Sequence, residues 1–242
     1  MKIWFNDRCL ILLQPGEEYH EKVILSESFE NLQELIRDFE NDFTIPRMAI
    51  TTSDGKRMRR VVKSLCTLVE AAGGVVKNKQ GEILFIFRRG KWDLPKGKIQ
   101  ADKRTGGQAD RRGEACLAST SGQADKRTVE ARHASPKQAD RKKAKSEWRK
   151  AEAVREVKEE TGLKRVSVVG ELSPTYHVFK ARGRMMLKKC YWFEMTAPRD
   201  QLLIPQQEED IEFVKWFRPD ELNLVLANTF GSLREMIEHL RC

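Results

Sequence analysis

The chain has 242 residues, 40% hydrophobic and 33% charged, which is globular composition with enough length to bury a core. A mean hydropathy of −0.59 and the absence of any apolar run near 18 residues argue against a membrane span, and five scattered cysteines with no CxxC pair argue against a disulfide framework or a cysteine zinc site. The net charge of +9 raises nucleic-acid binding as a class, while Asp7 and Arg8 interrupt the first apolar stretch too early for a signal peptide, so a soluble, cytoplasmic protein is expected.

Residues 1–65 read as a small α/β unit. Ile3-Trp4-Phe5 and Cys9 to Leu13 are expected strands around an Asn-Asp turn, and Val23-Ile24-Leu25 is a third. Ser28 is placed to cap a helix whose apolar stripe is Leu32, Leu35, Ile36 and Phe39. Ser53-Asp54-Gly55 signals a turn. From Cys66 the chain turns apolar and β-branched up to Val76. Lys77 to Gly81 then turns it into a second strand, Glu82 to Phe87. A loop follows, running through Arg88-Arg89-Gly90-Lys91, Trp92-Asp93-Leu94-Pro95 and Lys96-Gly97-Lys98-Ile99.

The excess charge is concentrated just beyond that loop. Between Gln100 and Lys145 there are 12 Lys/Arg and 6 Asp/Glu, so 46 residues hold two thirds of the net charge. Gln-Ala-Asp recurs at 100–102, 108–110, 123–125 and 138–140, and Glu-Ala-x-x-Ala-Ser starts at both Glu114 and Glu130. Leu117 and Val129 are the large aliphatics of the segment. Such a repeat buries too little surface to offset its ordering entropy, and it lacks the apolar positions on which solenoid repeats stack. It reads as a disordered, solvated insertion. This placement of charge disfavours a dedicated nucleic-acid-binding domain, with a basic arm as the sharper alternative.

After the insertion, Ser146 to Thr161 is an expected helix ended by Gly162. Val166 to Val169 is an expected strand. Thr175 to Phe179 and Leu187 to Met195 form an expected hairpin around Ala181-Arg182-Gly183, followed by a short strand at Phe213 to Phe217. One closing helix is expected from Asp220 to Leu240.

The chemically informative run is Arg155-Glu156-Val157-Lys158-Glu159-Glu160-Thr161-Gly162-Leu163. On a helix Glu156, Glu159 and Glu160 share one face, where mutual repulsion is destabilising unless something offsets it. A hard divalent cation does so, and oxygen ligands select Mg²⁺ or Mn²⁺. Arg155, four residues before Glu159, is placed to hold that carboxylate.

The run resembles the end of the Nudix box: Gly, five residues, Glu, seven residues, Arg-Glu, an aliphatic, any residue, Glu-Glu, any residue, Gly, an aliphatic. Glu147 stands eight residues before Arg155, as the pattern requires, and Leu94-Pro95-Lys96-Gly97 resembles the loop that opens the box. Between Gly97 and Glu147 lie 49 residues in place of five, an excess matching the repeat segment in size and position. The box therefore looks complete but split. The resemblance covers roughly Cys66 to Leu240 without the insertion. It implies an α/β/α sandwich around a mixed sheet for residues 66–242, with the small α/β unit 1–65 outside it and the insertion at about 100–145 interrupting it. One departure is Glu152, which stands where the family usually carries a small residue.

The resemblance also implies a Mg²⁺-dependent (Mn²⁺ possible) pyrophosphohydrolase that cleaves a nucleoside diphosphate linked to another moiety. Glu156 and Glu160 are then the main metal ligands and water activators, with Glu159, the Gly97 carbonyl and a later carboxylate, Glu209, completing the set. Arg155 orients the carboxylates, and Glu147 and Gly162 are structural. Arg88, Lys96, Lys98 and Lys189 are positioned to meet phosphates, and Trp92 or Tyr176 to stack on a base. The Tyr176-His177 and Lys188-Lys189 strands are most similar to the dinucleoside polyphosphate hydrolase and MutT-like branch, pointing to a nucleotide or dinucleoside polyphosphate substrate. Two rivals stay open: a catalytically impaired Nudix module that binds nucleotide or RNA, and RNA binding through the insertion. The oligomeric state is not legible.

Overall fold

The computed structural model describes residues 1–13, 16–17, 19, 23–25, 29–51, 54–100 and 136–240. The chain divides into two units, Met1–Ile99 with Arg149–Cys242, and Gln100–Trp148. The expected cap Ser28 and positions 101–135 of the repeat segment lie outside the described residues.

In the unit Gln100–Trp148 the described residues 136–148 are helical, the opening part of α3 (Pro136–Thr161). The sequence reading starts this helix at Ser146, and the structure starts it ten residues earlier. The last Gln-Ala-Asp copy, 138–140, is thus helical, which corrects its assignment to a disordered insertion. The helix opens on Pro136, which suits a first turn, and the run behind it is rich in Lys, Arg, Ala and Gln, all good helix formers.

In the other unit, β1 (Lys2–Phe5) and β2 (Arg8–Leu12) form an antiparallel hairpin. Its turn puts Asn6 at φ 57, a left-handed conformation that Asn tolerates. β3 (Val23–Leu25) and α1 (Phe29–Asn41) fall where the apolar pattern puts them. β4 (Arg47–Thr51) and α2 (Gly55–Leu65) go beyond the sequence reading. The stripe of α2 is hidden among cations, Lys56, Arg57, Arg59, Arg60 and Lys63, yet Val61 and Val62 are each 2% exposed. Tertiary burial decides this helix where its local polarity does not.

The rest of the sheet is β5 (Thr67–Lys77), β6 (Ile83–Arg88), β7 (Lys91–Asp93), β8 (Lys96–Lys98), β9 (Ser167–Ala181), β10 (Arg184–Thr196) and β11 (Ile211–Phe217). The order is β11-β6-β5-β10-β9-β1-β2-β4-β3, with β7 on β6 and β8 on β5. β5–β10, β1–β9 and the pairs of β4 are parallel and the others antiparallel, so the sheet is mixed, as expected. The two strands read at 166–169 and 175–179 are one strand, β9. Pro174 is tolerated because it sits at an irregularity of the β9–β10 ladder, between the pairs Thr175–Cys190 and Leu172–Trp192, and because β1 joins the outer edge of β9 only from His177.

The closing helix is two helices, α4 (Leu222–Ala227) and α5 (Gly231–His239), not the single one expected. The break is tied to β7. Trp92 donates its N–H to the Asn228 carbonyl at 2.9 Å, Thr229 donates its hydroxyl to the Trp92 carbonyl at 2.8 Å, and the Asn228 amide reaches the Gly90 carbonyl.

Strand alternation sorts the core into layers. Ala71, Val75, Phe85, Leu94, Trp192 and Phe217 pack under Leu222 and Val225 of α4 and Leu233 and Ile237 of α5. Ala72, Val76, Leu84, Phe193 and Met195 pack under Ala153 and Val157 of α3. Towards the N-terminal strands, Leu32, Ile36 and Phe39 of α1 and Val61 and Val62 of α2 close over Ile3, Leu10, Leu12, Val178 and Leu187. The result is the α/β/α sandwich anticipated from the sequence.

Candidate active site

The site forms where the β7–β8 loop meets α3. β8 runs antiparallel to β5, pairing Ala72 with Gly97 and Gly73 with Lys96. That close approach requires glycine at 73, where a Cβ would lie 2.4 Å from the Lys96 Cβ and from the Pro95 carbonyl oxygen. Gly97 is thereby set beneath α3, and a Cβ there would fall 1.9 Å from Glu156 Oε2. Two residues 59 apart in sequence, one from each half of the split motif, are in direct apposition. Gly97→Ala is therefore expected to displace the Glu156 carboxylate, destabilising the fold by about 1–3 kcal/mol. Turnover should drop roughly 100-fold from the misplacement. Unfolding in urea and a kcat measurement on the same preparation would check both.

Gly162 ends α3 in the left-handed region, φ 77, with its N–H on the Lys158 carbonyl at 3.0 Å, and this matches the expected C-cap. On the last turns of α3 Arg155 is the hub. It donates to Glu159 Oε2 at 2.6 Å, to Glu152 Oε2 at 3.0 Å and to Glu156 Oε1. Glu152, the departure from the family pattern, thus joins the set that holds Arg155. Burial raises the Glu156 carboxyl against the pull of Arg155. Glu160 is 1% exposed, and burial pushes it up to about 7 against the pull of Lys96 and Arg88. Its Oε2 accepts the Lys96 backbone N–H at 2.6 Å, and its Oε1 lies 3.6 Å from Arg88.

Beside Glu160 is a second carboxylate that the sequence reading passed over. Asp93 is buried, accepts the Leu94 N–H at 2.8 Å, and takes Arg88 through Nε at 3.2 Å and a terminal nitrogen at 3.1 Å, together with Lys96 Nζ. Burial alone would raise its carboxyl, but Lys96 and Arg88 outweigh that and hold it below the usual carboxylate range. Arg88, Lys96, His177 and Lys188 line a cavity of about 220 Å³ here, with Phe179, Trp192 and Phe230 among its walls. The Lys188 ammonium is lowered to about 8 by burial and by neighbouring Lys96. The cavity floor carries more positive than negative charge.

Burial, with Lys188 and Lys96 beside it, pushes the His177 imidazole down to about 4. The ring is neutral in the fold, whereas in the unfolded chain it titrates near 6.5. Its contribution to stability is complete above pH 6.5 and is lost as pH falls through 4, up to about 3 kcal/mol. His177→Gln is expected to flatten the stability profile between pH 6.5 and 4, as read from denaturation midpoints across that window.

The structure gathers Arg88, Lys96, Gly97, Glu156 and Glu160 into one place, with Arg155 and Glu159 on the α3 flank. Glu209 lies on the exposed turn Gln207–Glu209, and its charge is felt at Arg88. Its neighbour Asp210 binds Arg89 at 3.0 Å. Lys98 is exposed on β8. Trp92 is wedged between Phe87 and Phe217, ring centroids 4.9 and 4.7 Å away. Tyr176 and Lys189 pair across strands, one step out of phase with His177 and Lys188, so they face the other side of the sheet. There Lys189 and Arg149 lie over the Tyr191 ring, and Tyr191 donates to Glu70. Glu147 is on α3 within the unit Gln100–Trp148. The residue the sequence reading missed here is Asp93, while of the Lys188-Lys189 pair it is Lys188 and not the expected Lys189 that lines the cavity. The signal for Asp93 was its place between Trp92 and Leu94, beside two cations three and five residues away.

The NUDIX domain model of the protein families matches residues 128–240, which takes in the glutamate helix and the strands and helices after it. This chain carries a NUDIX domain. The domain makes it a hydrolase of phosphoanhydride bonds. Among solved structures, the chain is similar to the MutT protein of Methanosarcina mazei Go1 at 15% identity and a TM-score of 0.44, over 72% of this chain and 94% of that one. It is similar to the C. elegans Ap4A hydrolase at 18% identity and a TM-score of 0.36, over 72% and 93%. It is also similar to the E. coli ORF135 protein at 15% identity and a TM-score of 0.37, over 72% and 88%. No curated protein matches the chain. Among the described residues, no helix of this NUDIX protein is long and apolar enough to cross a membrane.

Proposed function

We propose that this protein is a Mg²⁺-dependent pyrophosphohydrolase, located in the cytoplasm, that cleaves a nucleoside diphosphate linked to another moiety. Dinucleoside polyphosphates and related nucleotides are the favoured substrates. Residues 66–242, interrupted by the insertion at about 100–145, are taken as the hydrolase domain, and 1–65 as a small α/β unit to which no role is assigned. The observation that carries the proposal is the apposition of Gly97 and Glu156 across the insertion, next to Glu160 and the cation-lined cavity.

The donor set suits a hard divalent cation. Glu156, Glu159, Glu160 and the Gly97 carbonyl are all oxygen ligands, and glycine at 97 leaves a cradle against Glu156 that any side chain would fill. Among the described residues no three acidic, histidine or cysteine side chains are already gathered as a metal cage. Arg155 holds Glu156 and Glu159, and Arg88 and Lys96 hold Glu160. A cation held here would compete with Arg155, Arg88 and Lys96 for these carboxylates. Bound Mg²⁺ would neutralise the anhydride oxygens and acidify a water.

The chain's own groups do the rest. Arg88, Lys96 and Lys188 hold the phosphates, with Lys96 and Arg88 aimed by Asp93. Water forms a new P–O bond as the anhydride P–O bond breaks, and the leaving phosphate departs with the electron pair. Glu156 or Glu160 takes the water's proton. Trp192 and Phe230 wall the cavity and limit water access. The experiment is phosphate release, with Mg²⁺ and with EDTA, from diadenosine polyphosphates, nucleoside triphosphates, ADP-ribose and 5′-triphosphate RNA. Metal-dependent turnover of a dinucleoside polyphosphate is the expected result. No turnover of any substrate by folded protein would reject the enzyme and leave a nucleotide- or RNA-binding module.

A further inference from the structure

A second cavity, of about 720 Å³, lies at the outer edge of β9, lined by β1, α2 and α5. Its volume is in the range of small-ligand clefts, about 300–1,000 Å³. Trp4, Leu172, Tyr176, Met236 and Leu240 line it, each only partly buried. The Trp4 ring is fixed from one side by α5, since a Cβ on Gly231 would lie 2.6 Å from the indole.

The polar groups of this cavity are unbalanced in one respect. Lys2 and Glu235 satisfy each other. Arg59 has no carboxylate partner among the described residues, and its charge is felt at the Tyr176 phenol and the Met1 ammonium. The Trp4 indole N–H and the Tyr176 hydroxyl likewise have no hydrogen-bond partner among the described residues. Ser173 and Thr175 lie on the stretch of β9 that β1 leaves uncovered, since β1 pairs with β9 only at His177 and Val178. Three partly exposed donors with no acceptor among the described residues, one of them a guanidinium, line a cavity with apolar and aromatic walls. Their chemical complement is an acceptor-rich anion joined to a flat apolar body. An arginine fork matches a phosphate, and an indole face matches a purine.

We propose that this cavity is a second nucleotide site, separate from the hydrolase site, that takes a purine nucleoside monophosphate with its phosphate on Arg59 and its base against Trp4. The two cavities adjoin, sharing Thr175 and Ser232, but none of the carboxylates or cations at the Gly97–Glu160 site lines this one. The proposal does not depend on turnover, so its test is binding alone.

The test is calorimetric titration of the full chain in EDTA with AMP, adenosine and inorganic phosphate. The variants are Arg59→Ala, Trp4→Leu, and Lys96→Ala as the hydrolase-site control, with thermal unfolding to confirm that each is folded. The expected result is AMP binding that weakens at least tenfold in Arg59→Ala, weakens also in Trp4→Leu, and persists in Lys96→Ala. Adenosine and phosphate should each bind at least tenfold more weakly than AMP. If Trp4→Leu fails to fold, the Arg59→Ala result decides. AMP binding that survives Arg59→Ala but disappears in Lys96→Ala would place the nucleotide in the hydrolase site and overturn the proposal. No AMP binding at millimolar concentration would overturn it as well.

Discussion

Glu160→Gln is expected to lower kcat by roughly 100- to 1,000-fold, the size of effect seen when one transition-state electrostatic contact is removed. The same change should leave the metal-free protein as stable as the parent, or more so, at pH 8. The reason is the environment of the carboxyl. Glu160 is 1% exposed and burial raises it to about 7, while an unfolded glutamate titrates near 4.5. A raised folded value means that stability is complete below pH 4.5 and is lost as pH rises through 7, by up to about 3 kcal/mol. Glutamine keeps an acceptor for the Lys96 N–H and carries no charge, so that loss disappears. In EDTA, the Tm of the variant should equal or exceed the parent's at pH 8 and the gap should close near pH 4.5. Adding Mg²⁺ should raise the parent's Tm through preferential binding to the folded state and leave the variant's nearly unmoved. A variant that loses activity and also melts well below the parent at pH 8 would mean that Glu160 serves the fold and not a metal.

Asp93→Ala has the largest expected effect on stability, a loss of about 3–5 kcal/mol. Breaking a buried ion pair from one side leaves its partner charged and uncompensated, and here two cations lose that partner. Among the described residues, Glu160 would remain as the near carboxylate, 3.6 Å from Arg88, with Glu209 acting on Arg88 from farther off. Asp93→Asn should lose less, since an amide oxygen still accepts the Leu94 N–H. Urea unfolding at pH 7 measures both. The activity of Asp93→Asn should show a raised KM before a lowered kcat, because the two cations bind phosphate and Asp93 touches no reacting atom. A stability change under 1 kcal/mol for the alanine variant would show that water replaces the carboxylate and that the pair is not held in the way its distances suggest.

Much of this site was legible because chemistry spaced along one helix needs no tertiary information. Arg155, Glu156, Glu159 and Glu160 fall on one face by the helical period alone, and Gly162 ends that helix for a reason visible in one residue type. Leu94-Pro95-Lys96-Gly97 was recognisable as the other half of the motif, although 49 residues separate its glycine from Glu147. What neither half could state is that they meet. That required Gly73 on β5, whose missing side chain lets the Pro95–Lys96 backbone close to a distance no Cβ would permit.

The apolar periods of β1, β2, α1, β5, β6 and β10 placed those elements, since each carries its own buried stripe. α2 did not show itself because its stripe is short and crowded by cations, and it is helical through burial against Ile3, Leu10 and Leu12. The closing helix reads as one because its apolar stripe continues past Asn228-Thr229-Phe230-Gly231, although Asn, Thr and Gly there are helix-end residue types. The break comes from Trp92 and Gly90, more than 130 residues away, which hydrogen-bond Asn228 and Thr229. Face assignment was the other decision left to the fold. Lys188 and Lys189 are adjacent and chemically alike, yet the pleat sends one into the cation-lined cavity and the other to the far side of the sheet. The sequence by itself determined the candidate groups on α3 and the Gly97 loop, because that depends on residue type and short-range spacing. Only the tertiary structure decided which of them share a cavity, because register, pleat and burial are set by partners distant in the chain.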